Sequence, residues 1–485
     1  MNVKIVGRII GALLLLEAAF MVPPALLCLY DGDTNAAVCF AAAVVVGCLF
    51  GGLLLLWARQ GQTLFYAQEG FVATGLSWIV MSLVGALPFW FSRAIPSFVD
   101  ALFEIVSGFT TTGASILSNV EALPRGLLLW RSFSHWLGGM GMLVFLLAVV
   151  PIARRGTGAN IHLMRAESPG PSVGKLTPKL QGTALILYSM YMLLTVLDVV
   201  FLLLGGMPLF DALCTAFGTA GTGGFGIKND SIAGYSPYLQ TVTTVFMLLF
   251  GVNFSLYFLL LLRRFKGFFL DEELRLYLGV TFGAIALITF DIRGLFASIG
   301  EALHHAAFQV ASVITTTGFS TLDFDQWPDL SKGILLVLMC LGACAGSTGG
   351  GLKMARVLLL LKGFRRNLRQ TLNPRRVQLM RVNGQTIGED VLDNTNAYLV
   401  AYCALVVGSF LLVSFDGFSI LTNLSAVIAC FNNIGPGFDA VGAAQNYGLY
   451  SDFSKLVLTL DMLLGRLEIY PILALFSRHT WNRKL

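Results

Sequence analysis

Long apolar runs recur along the whole chain and are separated by short polar stretches. A run of about 20 apolar residues crosses a bilayer as a helix. The first run is too long for a signal peptide and is followed closely by a second. Ten segments have this character, at 9–28, 36–57, 71–92, 127–150, 182–204, 238–262, 274–290, 333–361, 396–415 and 453–477. The pattern therefore predicts an all-α polytopic membrane protein.

One order of elements is repeated after the first two spans. An apolar span, a short semi-apolar segment ending in Thr and Gly, a polar stretch and a second span follow one another four times. The short segments are PSFVDALFEIVSGFTTTGAS (96–115), MPLFDALCTAFGTAGTGGFG (207–226), ASIGEALHHAAFQVASVITTTGFS (297–320) and FDGFSILTNLSAVIACFNNIGPGF (415–438). Because internal repetition determines the architecture, we predict four span–pore-loop–span repeats around a pseudo-four-fold pore.

The short segments are the most informative part of each repeat. Each contains about 10–14 residues of helical pattern, too few to cross a bilayer. Irregular backbone at membrane depth is tolerated only inside protein or along a water-filled path. Four re-entrant segments around one axis would line such a path. The alternative, that they are extracellular loops with amphipathic helices, is weakened by four copies at the same place.

These repeats give the expected division of the chain. The predicted parts are two N-terminal transmembrane helices in 1–65 and pore repeats in 66–155, 176–265, 272–365 and 390–485.

Composition and charge support a membrane location and give the orientation. The chain is 56% hydrophobic and only 12% charged, whereas soluble proteins carry about 25% charged residues. The loops between repeats (151–181, 263–273 and 362–393) hold 15 Lys and Arg against 7 Asp and Glu. The segments with short helices hold 4 Lys and Arg against 12 Asp and Glu. The positive-inside rule therefore predicts cytoplasmic inter-repeat loops, cytoplasmic termini and short helices that enter from outside.

The Thr- and Gly-rich ends of the short segments fit the chemistry of potassium. Rings of carbonyl oxygens can replace the water around K⁺, and Gly permits the backbone angles that this requires. The expected ring contains Gly113, Gly224 or Gly223, Gly318 and Gly435. The candidate K⁺-binding residues are Thr111, Thr112, Gly113, Gly221, Thr222, Gly223, Gly224, Thr316, Thr317, Gly318, Asn433, Ile434 and Gly435. The carboxyl ends of the short helices would add negative potential.

Two features of the later spans stand out. In 333–361, five glycines fall between positions 342 and 351, and each costs about 1 kcal/mol in a helix interior. They predict a break at membrane depth, with close helix packing through small residues as the alternative. Arg466 lies in the last apolar run, where a charge is expensive and marks a pathway or a buried pair. Asp461 and Glu468 are near enough in sequence to be its partners.

These motifs resemble the Trk/Ktr family of bacterial potassium uptake proteins over essentially the whole chain. The motifs are SGFTTTGAS, VITTTGFSTLDFDQWP and FNNIGPGF, and the two extra N-terminal spans are similar to the Trk branch. The resemblance implies a single-chain pore for K⁺ in the bacterial inner membrane. It also implies a homodimer and a cytosolic regulatory subunit of the RCK type, which binds ATP/ADP or NAD.

The resemblance also assigns roles to individual residues. Residues 343–352 correspond to an intramembrane gating loop, and Arg466 would face the pore near it. Gly113 favours K⁺, because relatives with Ser at this position tend to favour Na⁺. The gating residues would be Gly346, Ser347, Thr348, Gly349, Gly350, Gly351 and Arg466.

Several other chemistries receive no support from the sequence. The GTGGFG stretch at 221–226 lacks the strand and βαβ unit that dinucleotide binding needs. We find no catalytic constellation and expect no enzyme, no cofactor in the chain, no nucleic-acid partner and no metal other than K⁺ at the filter residues. The basic segment 362–381 suits membrane lipid and a docking surface for the regulatory subunit. The leading hypothesis is K⁺ uptake through a selective channel-like pore, and the alternative is K⁺ transport coupled to H⁺ or Na⁺.

Overall fold

A computed structural model of the chain describes residues 1–59, 67–141, 180–373 and 378–481. Helices dominate this part of the chain, as the apolar pattern predicts. Six of the described helices are long and apolar enough to span a membrane, or seven if one bent pair is counted as a span. The fold class predicted from the sequence, an all-α polytopic membrane protein, is therefore confirmed.

Two N-terminal spans precede the repeated units. The first consists of Val3–Phe20 and Val22–Tyr30, and prolines at the start of the second piece suit a helix beginning there. The second is Thr34–Trp57, and its first turn is capped by the Asp33 side chain. The two spans pack closely, because a Cβ added to Gly11 or Gly51 would lie 2.8 Å from the other glycine's carbonyl oxygen.

Four units follow, each with a long outer helix, a short helix and an inner helix. We number these helices by unit. The outer helices are Ala67–Gly85, Leu180–Leu204, Glu272–Ile292 and Glu389–Val413. The short helices are Phe98–Phe109, Leu209–Gly221, Ile299–Ile314 and Ile420–Phe431. The inner helices are Arg125–Gly139, Pro237–Phe250, Asp329–Leu341 and Asp452–Arg466.

The remaining elements are short or continue the inner helices. Phe254–Leu261, Met354–Leu372 and Tyr470–Phe476 follow inner helices 2, 3 and 4. Leu87–Phe91 follows outer helix 1, and Phe265–Phe269 and Arg478–Trp481 are single turns. Turns of 3₁₀ helix occupy Phe324–Gln326, Ser414–Asp416, Asp439–Val441 and Tyr447–Leu449. One antiparallel hairpin pairs Arg381–Val382 with Gln385–Thr386.

The outer surface of the bundle is apolar. On the second N-terminal span, Leu49, Leu53 and Leu56 are 59%, 62% and 66% exposed. Exposed leucines along one helix face would be unfavourable in water, but they suit contact with acyl chains. This surface fits a bundle whose outside faces lipid.

The short helices begin in similar ways. In three of them a serine side chain accepts a hydrogen bond from the backbone N–H three residues later, which caps the first turn. The pairs are Ser97 with Asp100, Ser298 with Glu301 and Ser419 with Thr422. Short helix 2 begins after Pro208 instead. All four then run for only 12 to 16 residues, so they end within the bundle rather than crossing it.

Inner helices 2 and 4 correct a prediction from the sequence. The apolar runs 238–262 and 453–477 predict continuous helices, which is wrong. The helix Pro237–Phe250 bends by 91° into Phe254–Leu261. Inner helix 4 ends at Arg466, and Glu468 and Ile469 have φ of 55° and 68°. Hydrophobicity alone does not reveal such breaks, because both halves remain apolar. For the run 127–150, residues 142–150 lie outside the described part of the chain.

The units pack in a closed order. Inner helix 1 packs on short helix 2, inner helix 2 on short helix 3, inner helix 3 on short helix 4, and inner helix 4 on short helix 1. The four short helices are therefore arranged in a closed order around one centre.

Candidate cation pathway

The loops that follow the four short helices have the same backbone conformation. Each has a left-handed residue one or two positions after its helix and a glycine of positive φ two residues later. The left-handed residues are Thr111, Thr222, Thr316 and Asn433, with φ of 55°, 55°, 58° and 57°. The glycines are Gly113, Gly224, Gly318 and Gly435, with φ of 80°, 73°, 85° and 98°. We call these segments ring loops 1 to 4.

This shared backbone conformation defines the register of ring loop 2, which the sequence left open between Gly223 and Gly224. Gly224, rather than Gly223, occupies the glycine position. Gly221 is the last residue of short helix 2, so it precedes the positions that correspond to the other candidate residues. Its carbonyl oxygen accepts a hydrogen bond from the Thr222 hydroxyl at 2.6 Å.

Backbone hydrogen bonds hold each ring loop to the end of its own helix. The N–H between the left-handed residue and the glycine donates to the carbonyl five residues earlier, as in a Schellman motif. The pairs are Thr112 to Ser107, Gly223 to Gly218 and Thr317 to Ser312, each at 2.8 Å, and Ile434 to Ala429 at 2.9 Å. The chain therefore reverses in the same way at all four helix ends.

The four ring loops abut in a closed ring. A Cβ added to Gly113 would overlap the Gly223 carbonyl oxygen, and one on Gly224 would overlap that of Thr317. The same holds for Gly318 against Ile434, and for Gly435 against Thr112 at 2.7 Å. Only glycine fits at these positions. The order of contacts is 1, 2, 3, 4 and back to 1, which matches the cyclic packing of the helices.

A cavity opens on one side of this ring and is bordered by all four glycines. Its lining includes Ser115 and Ser320 and the charged residues Arg131 and Lys228. The carboxyl ends of the short helices lie next to the ring, and the helix dipole places partial negative charge there. Within the described residues, no cluster of three or more His, Cys, Asp or Glu forms a metal site.

Side-chain oxygens at the other edge of the ring differ among the loops. Of the described buried oxygens there, Thr111 Oγ1 and Asn433 Oδ1 have no hydrogen-bond partner. Thr316 Oγ1, at the equivalent position of loop 3, accepts from the backbone N–H of Gly350 at 2.6 Å. Asn433 Nδ2 donates to Thr112 Oγ1 at 3.0 Å and so joins loops 4 and 1.

The segment 342–353 interrupts inner helix 3, where the glycines predict a break. The helix ends at Leu341, resumes at Met354, and has positive φ at Gly342, Gly346 and Gly351 between them. Glycine is suited to such angles because it has no Cβ.

The same segment lies against the ring and against the bend of inner helix 2. A Cβ on Gly350 would overlap the Asn432 carbonyl oxygen. The Cys344 N–H donates to Gly251 O at 3.0 Å, and the Phe254 N–H donates to Gly346 O at 3.0 Å. The segment thus covers the edge of the ring opposite the cavity.

Arg466 joins three units. It is 8% exposed. Its Nη1 donates to Thr348 O in the segment 342–353 at 2.8 Å, and its Nη2 donates to Gly139 O at the end of inner helix 1 at 2.6 Å. The expected neighbours in sequence have other partners, because Glu468 forms an ion pair with Arg356 at 2.6 Å and Asp461 accepts from Ser409.

Four residues at this site were missed from the sequence. Lys353 is 2% exposed, and its ammonium group donates to Gly349 O. The Tyr447 hydroxyl donates to Gly435 O at 2.6 Å. Arg131 and His135 are buried beside ring loop 2. Lys353, Arg131 and His135 are polar residues in apolar surroundings, which is a usable signal. Tyr447 gives none.

Comparison with known proteins agrees with this architecture. The TrkH family, described as a cation transport protein, matches residues 37–483. The Trk system potassium uptake protein TrkH of Salmonella typhimurium is 36% identical over 489 residues, covering 99% of this chain and 100% of that protein. The Trk system potassium uptake protein TrkG of Escherichia coli is 35% identical over 487 residues and 99% of each chain.

A solved structure gives the same result in three dimensions. The crystal structure of the potassium transporter TrkH from Vibrio parahaemolyticus matches with a TM-score of 0.88 and 33% identity, covering 99% of this chain and 100% of that one. The predicted resemblance to the Trk branch is therefore confirmed, and the chain belongs to the TrkH family of cation transport proteins.

Proposed function

We propose that this protein takes up potassium across the bacterial inner membrane through the ring formed by ring loops 1 to 4. The observation that carries the proposal is the closed order of contacts between four glycines and four neighbouring carbonyl groups around one cavity. Relatives of similar length are named as Trk system potassium uptake proteins.

The ring would select K⁺ by replacing its hydration shell. Backbone carbonyl oxygens from four loops can surround a dehydrated K⁺ and compensate for the lost water. The ion would be held by the candidate residues at 111–113, 222–224, 316–318 and 433–435. The negative ends of the short helices would lower the energy of a cation at the centre. Thr111 Oγ1 and Asn433 Oδ1 are further oxygens available to it.

The segment 342–353 would gate the pathway. Its Gly350 N–H uses the Thr316 hydroxyl oxygen, whose counterparts in ring loops 1 and 4 have no partner among the described atoms. The segment would therefore compete with the ion for the inner edge of the ring. Arg466 would hold the closed form by joining this segment to inner helix 1, and its charge would oppose a cation at that point.

Orientation and regulation follow as further parts of the proposal. The basic inter-repeat loops and both termini would be cytoplasmic, and the acidic segments with short helices would face outside. The protein would act as a homodimer with a cytosolic RCK-type regulator that binds ATP/ADP or NAD. The helix Met354–Leu372 supports this link, because it continues from the segment 342–353 and carries Arg365, Arg366 and Arg369 toward its end.

We propose the boundaries of the units from the four-fold repetition of outer, short and inner helices. The two N-terminal spans would occupy 1–65, and the pore repeats would occupy 66–155, 176–265, 272–365 and 390–485. The gating loop within the third repeat would be 343–352.

Transport coupled to H⁺ or Na⁺ is the second candidate. Interrupted helices near the membrane midplane are common in secondary transporters. Inner helices 2, 3 and 4 are all interrupted here, and Arg466 is a buried charge beside two of the interruptions. The closed ring favours a continuous pore, whereas these features favour alternating access.

A flux experiment separates the two candidates. The purified protein is placed in liposomes, and uptake of radiolabelled Rb⁺ is measured with a K⁺ gradient as the only driving force. A pore gives downhill uptake that K⁺ inhibits and that protein-free liposomes lack. If uptake occurs only when a H⁺ or Na⁺ gradient is imposed, the pore mechanism is wrong and the coupled mechanism replaces it.

A further inference from the structure

Inner helix 1 carries two polar residues that lie between ring loops 1 and 2. Arg131 and His135 are one helical turn apart, so both project to the same side of the helix. They are 3% and 0% exposed. Neither is part of the ring, yet each bonds both to short helix 1 and to the backbone just after ring loop 2.

His135 joins the end of short helix 1 to ring loop 2. Its Nδ1 lies 2.8 Å from Gly108 O, and its Nε2 accepts from the Phe225 N–H at 3.2 Å. Because a carbonyl accepts and an amide N–H donates, both bonds form only when Nδ1 carries the hydrogen and Nε2 does not. The His135 imidazole is therefore neutral and fixed in one tautomer.

The same imidazole explains why ring loop 2 departs from the Thr-containing loops. A Cβ added to Gly223 would overlap the His135 ring. Ring loops 1 and 3 have Thr112 and Thr317 at this position, and each hydroxyl bonds to a threonine of its own loop at 2.8 Å. In ring loop 2, the histidine of the neighbouring unit occupies the space of the missing side chain.

Arg131 joins the outer ends of the same two loops. Its Nε donates to Glu104 at 2.5 Å, and its Nη1 donates to Gly226 O at 2.8 Å. Its guanidinium carbon lies 3.5 Å from the centre of the Phe225 ring. Glu104 in turn accepts from the Ser115 hydroxyl and the Ile116 N–H, at 2.9 Å and 3.0 Å. The pair therefore connects the segments that leave ring loops 1 and 2.

We propose that His135 and Arg131 are positioning residues that determine ion selectivity by fixing the backbone of ring loop 2 relative to ring loop 1. This inference rests on the proposed function, because it takes the ring to be the K⁺ filter. Ring loop 2 has no hydroxyl at position 223 to stabilise it from within. Its carbonyl groups keep their positions because a neighbouring helix supplies the contacts instead.

The test uses two single substitutions, at His135 and at Gly223, and the double variant that combines them. His135→Ala removes both hydrogen bonds, and we expect the ratio of K⁺ to Na⁺ inhibition of Rb⁺ uptake to fall by about tenfold, as expected for a lost buried hydrogen bond. Gly223→Thr alone places a side chain against His135, and we expect Rb⁺ uptake to fall by about tenfold or more. In the double variant the threonine has room, so Rb⁺ uptake should recover relative to Gly223→Thr, while the ion ratio stays low because the His135 bonds remain absent.

Two further variants separate positioning from general packing. Arg131→Lys keeps the charge but cannot make both directed bonds, so selectivity should fall while uptake persists. Trp136→Leu is the matched control, because Trp136 is the next residue on the helix and packs on Tyr191 and Phe217 rather than on ring loop 2. It should change protein yield or thermal stability without changing the ion ratio.

The possible outcomes are distinct. An unchanged ion ratio in folded His135→Ala, or in Arg131→Lys if the first variant does not fold, overturns this inference. Failure of the double variant to recover relative to Gly223→Thr also overturns it. The wild-type protein tests the proposed function separately, because that function fails if wild type gives no downhill Rb⁺ uptake under the same conditions.

Discussion

The ring loops and the segment 342–353 are both rich in glycine, but they are held in different ways. Each ring loop is bonded to the end of its own short helix, and its glycine of positive φ lies against a carbonyl of the next loop. The segment 342–353 is bonded mainly to other elements, including the bend of inner helix 2, the Thr316 hydroxyl and Arg466.

This difference shows two uses of the same residue type. In the ring, glycine is required because a side chain would meet a neighbouring backbone, so the geometry is determined by close contact. In the segment 342–353, three glycines of positive φ provide the turns, and hydrogen bonds to separate elements hold it in place. The segment 342–353 is held by bonds to separate elements, so it can change conformation when one of those elements moves. The ring loops are held by their own short helices and by close contact with one another, so they change conformation less easily.

Of the changes that test this difference, removing residues 346–351 should have the largest effect on Rb⁺ uptake. Without these residues the inner edge of the ring is uncovered, and we expect downhill Rb⁺ uptake in liposomes to rise by about a hundredfold, equivalent to a barrier lowered by about 2.7 kcal/mol. The K⁺ to Na⁺ ratio should remain that of wild type, because the ring is intact. A folded deletion variant with wild-type uptake would contradict the gating role, and a changed ion ratio would show that the two regions are not separate.

Gly113→Ser should alter selectivity rather than gating. The new Cβ would meet the Gly223 carbonyl in a ring that has no space for it. A displacement worth about 1.4 kcal/mol changes a ratio of affinities tenfold, so we expect about a tenfold loss of K⁺ to Na⁺ discrimination in competition assays.

Gly417→Ser is the matched control for this substitution. Gly417 also has positive φ, at 76°, but a Cβ there meets nothing within 4 Å. If both variants lose discrimination equally, backbone strain in general, rather than contact within the ring, accounts for the effect.

Arg466→Gln should have a smaller effect, on gating. It removes a buried charged donor that joins Thr348 to inner helix 1, and such bonds contribute about 1.5–3 kcal/mol. Part of this loss is regained by the amide, so we expect basal Rb⁺ uptake to rise about fivefold. Arg466→Lys distinguishes charge from geometry: uptake near wild type would indicate an electrostatic barrier, and uptake near that of Arg466→Gln would indicate bridging.

Lys353→Met should have the smallest effect of the four. The ammonium group bonds to Gly349 within the same segment, so its removal breaks a local contact and leaves the bridges to other units. We expect basal Rb⁺ uptake to rise only about twofold. An increase as large as that of the deletion would mean that the segment is held from within, which would remove the contrast with the ring.

Much of the architecture could be predicted from the sequence, because its signals are local. The short helices, their Thr- and Gly-rich ends and the break after Leu341 all depend on residue types within a few positions. The roles proposed for the ring residues, the segment 342–353 and Arg466 remain predictions.

The features that were missed depend on contacts between distant parts of the chain. The bends after Phe250 and Arg466 occur in apolar runs that would also form straight helices. The register of ring loop 2 could not be chosen between Gly223 and Gly224, because it is determined partly by His135, which lies 88 residues before Gly223. No local pattern contains that information.

The ring is built from one polypeptide, and this affects how it can vary. In an assembly of four identical subunits, a substitution changes every wall of the pore at once. Here a substitution changes one quarter, so loops as different as TTTG and NNIG coexist in one ring. Each wall is therefore free to mutate on its own, and selectivity can be adjusted in small increments rather than in single large steps.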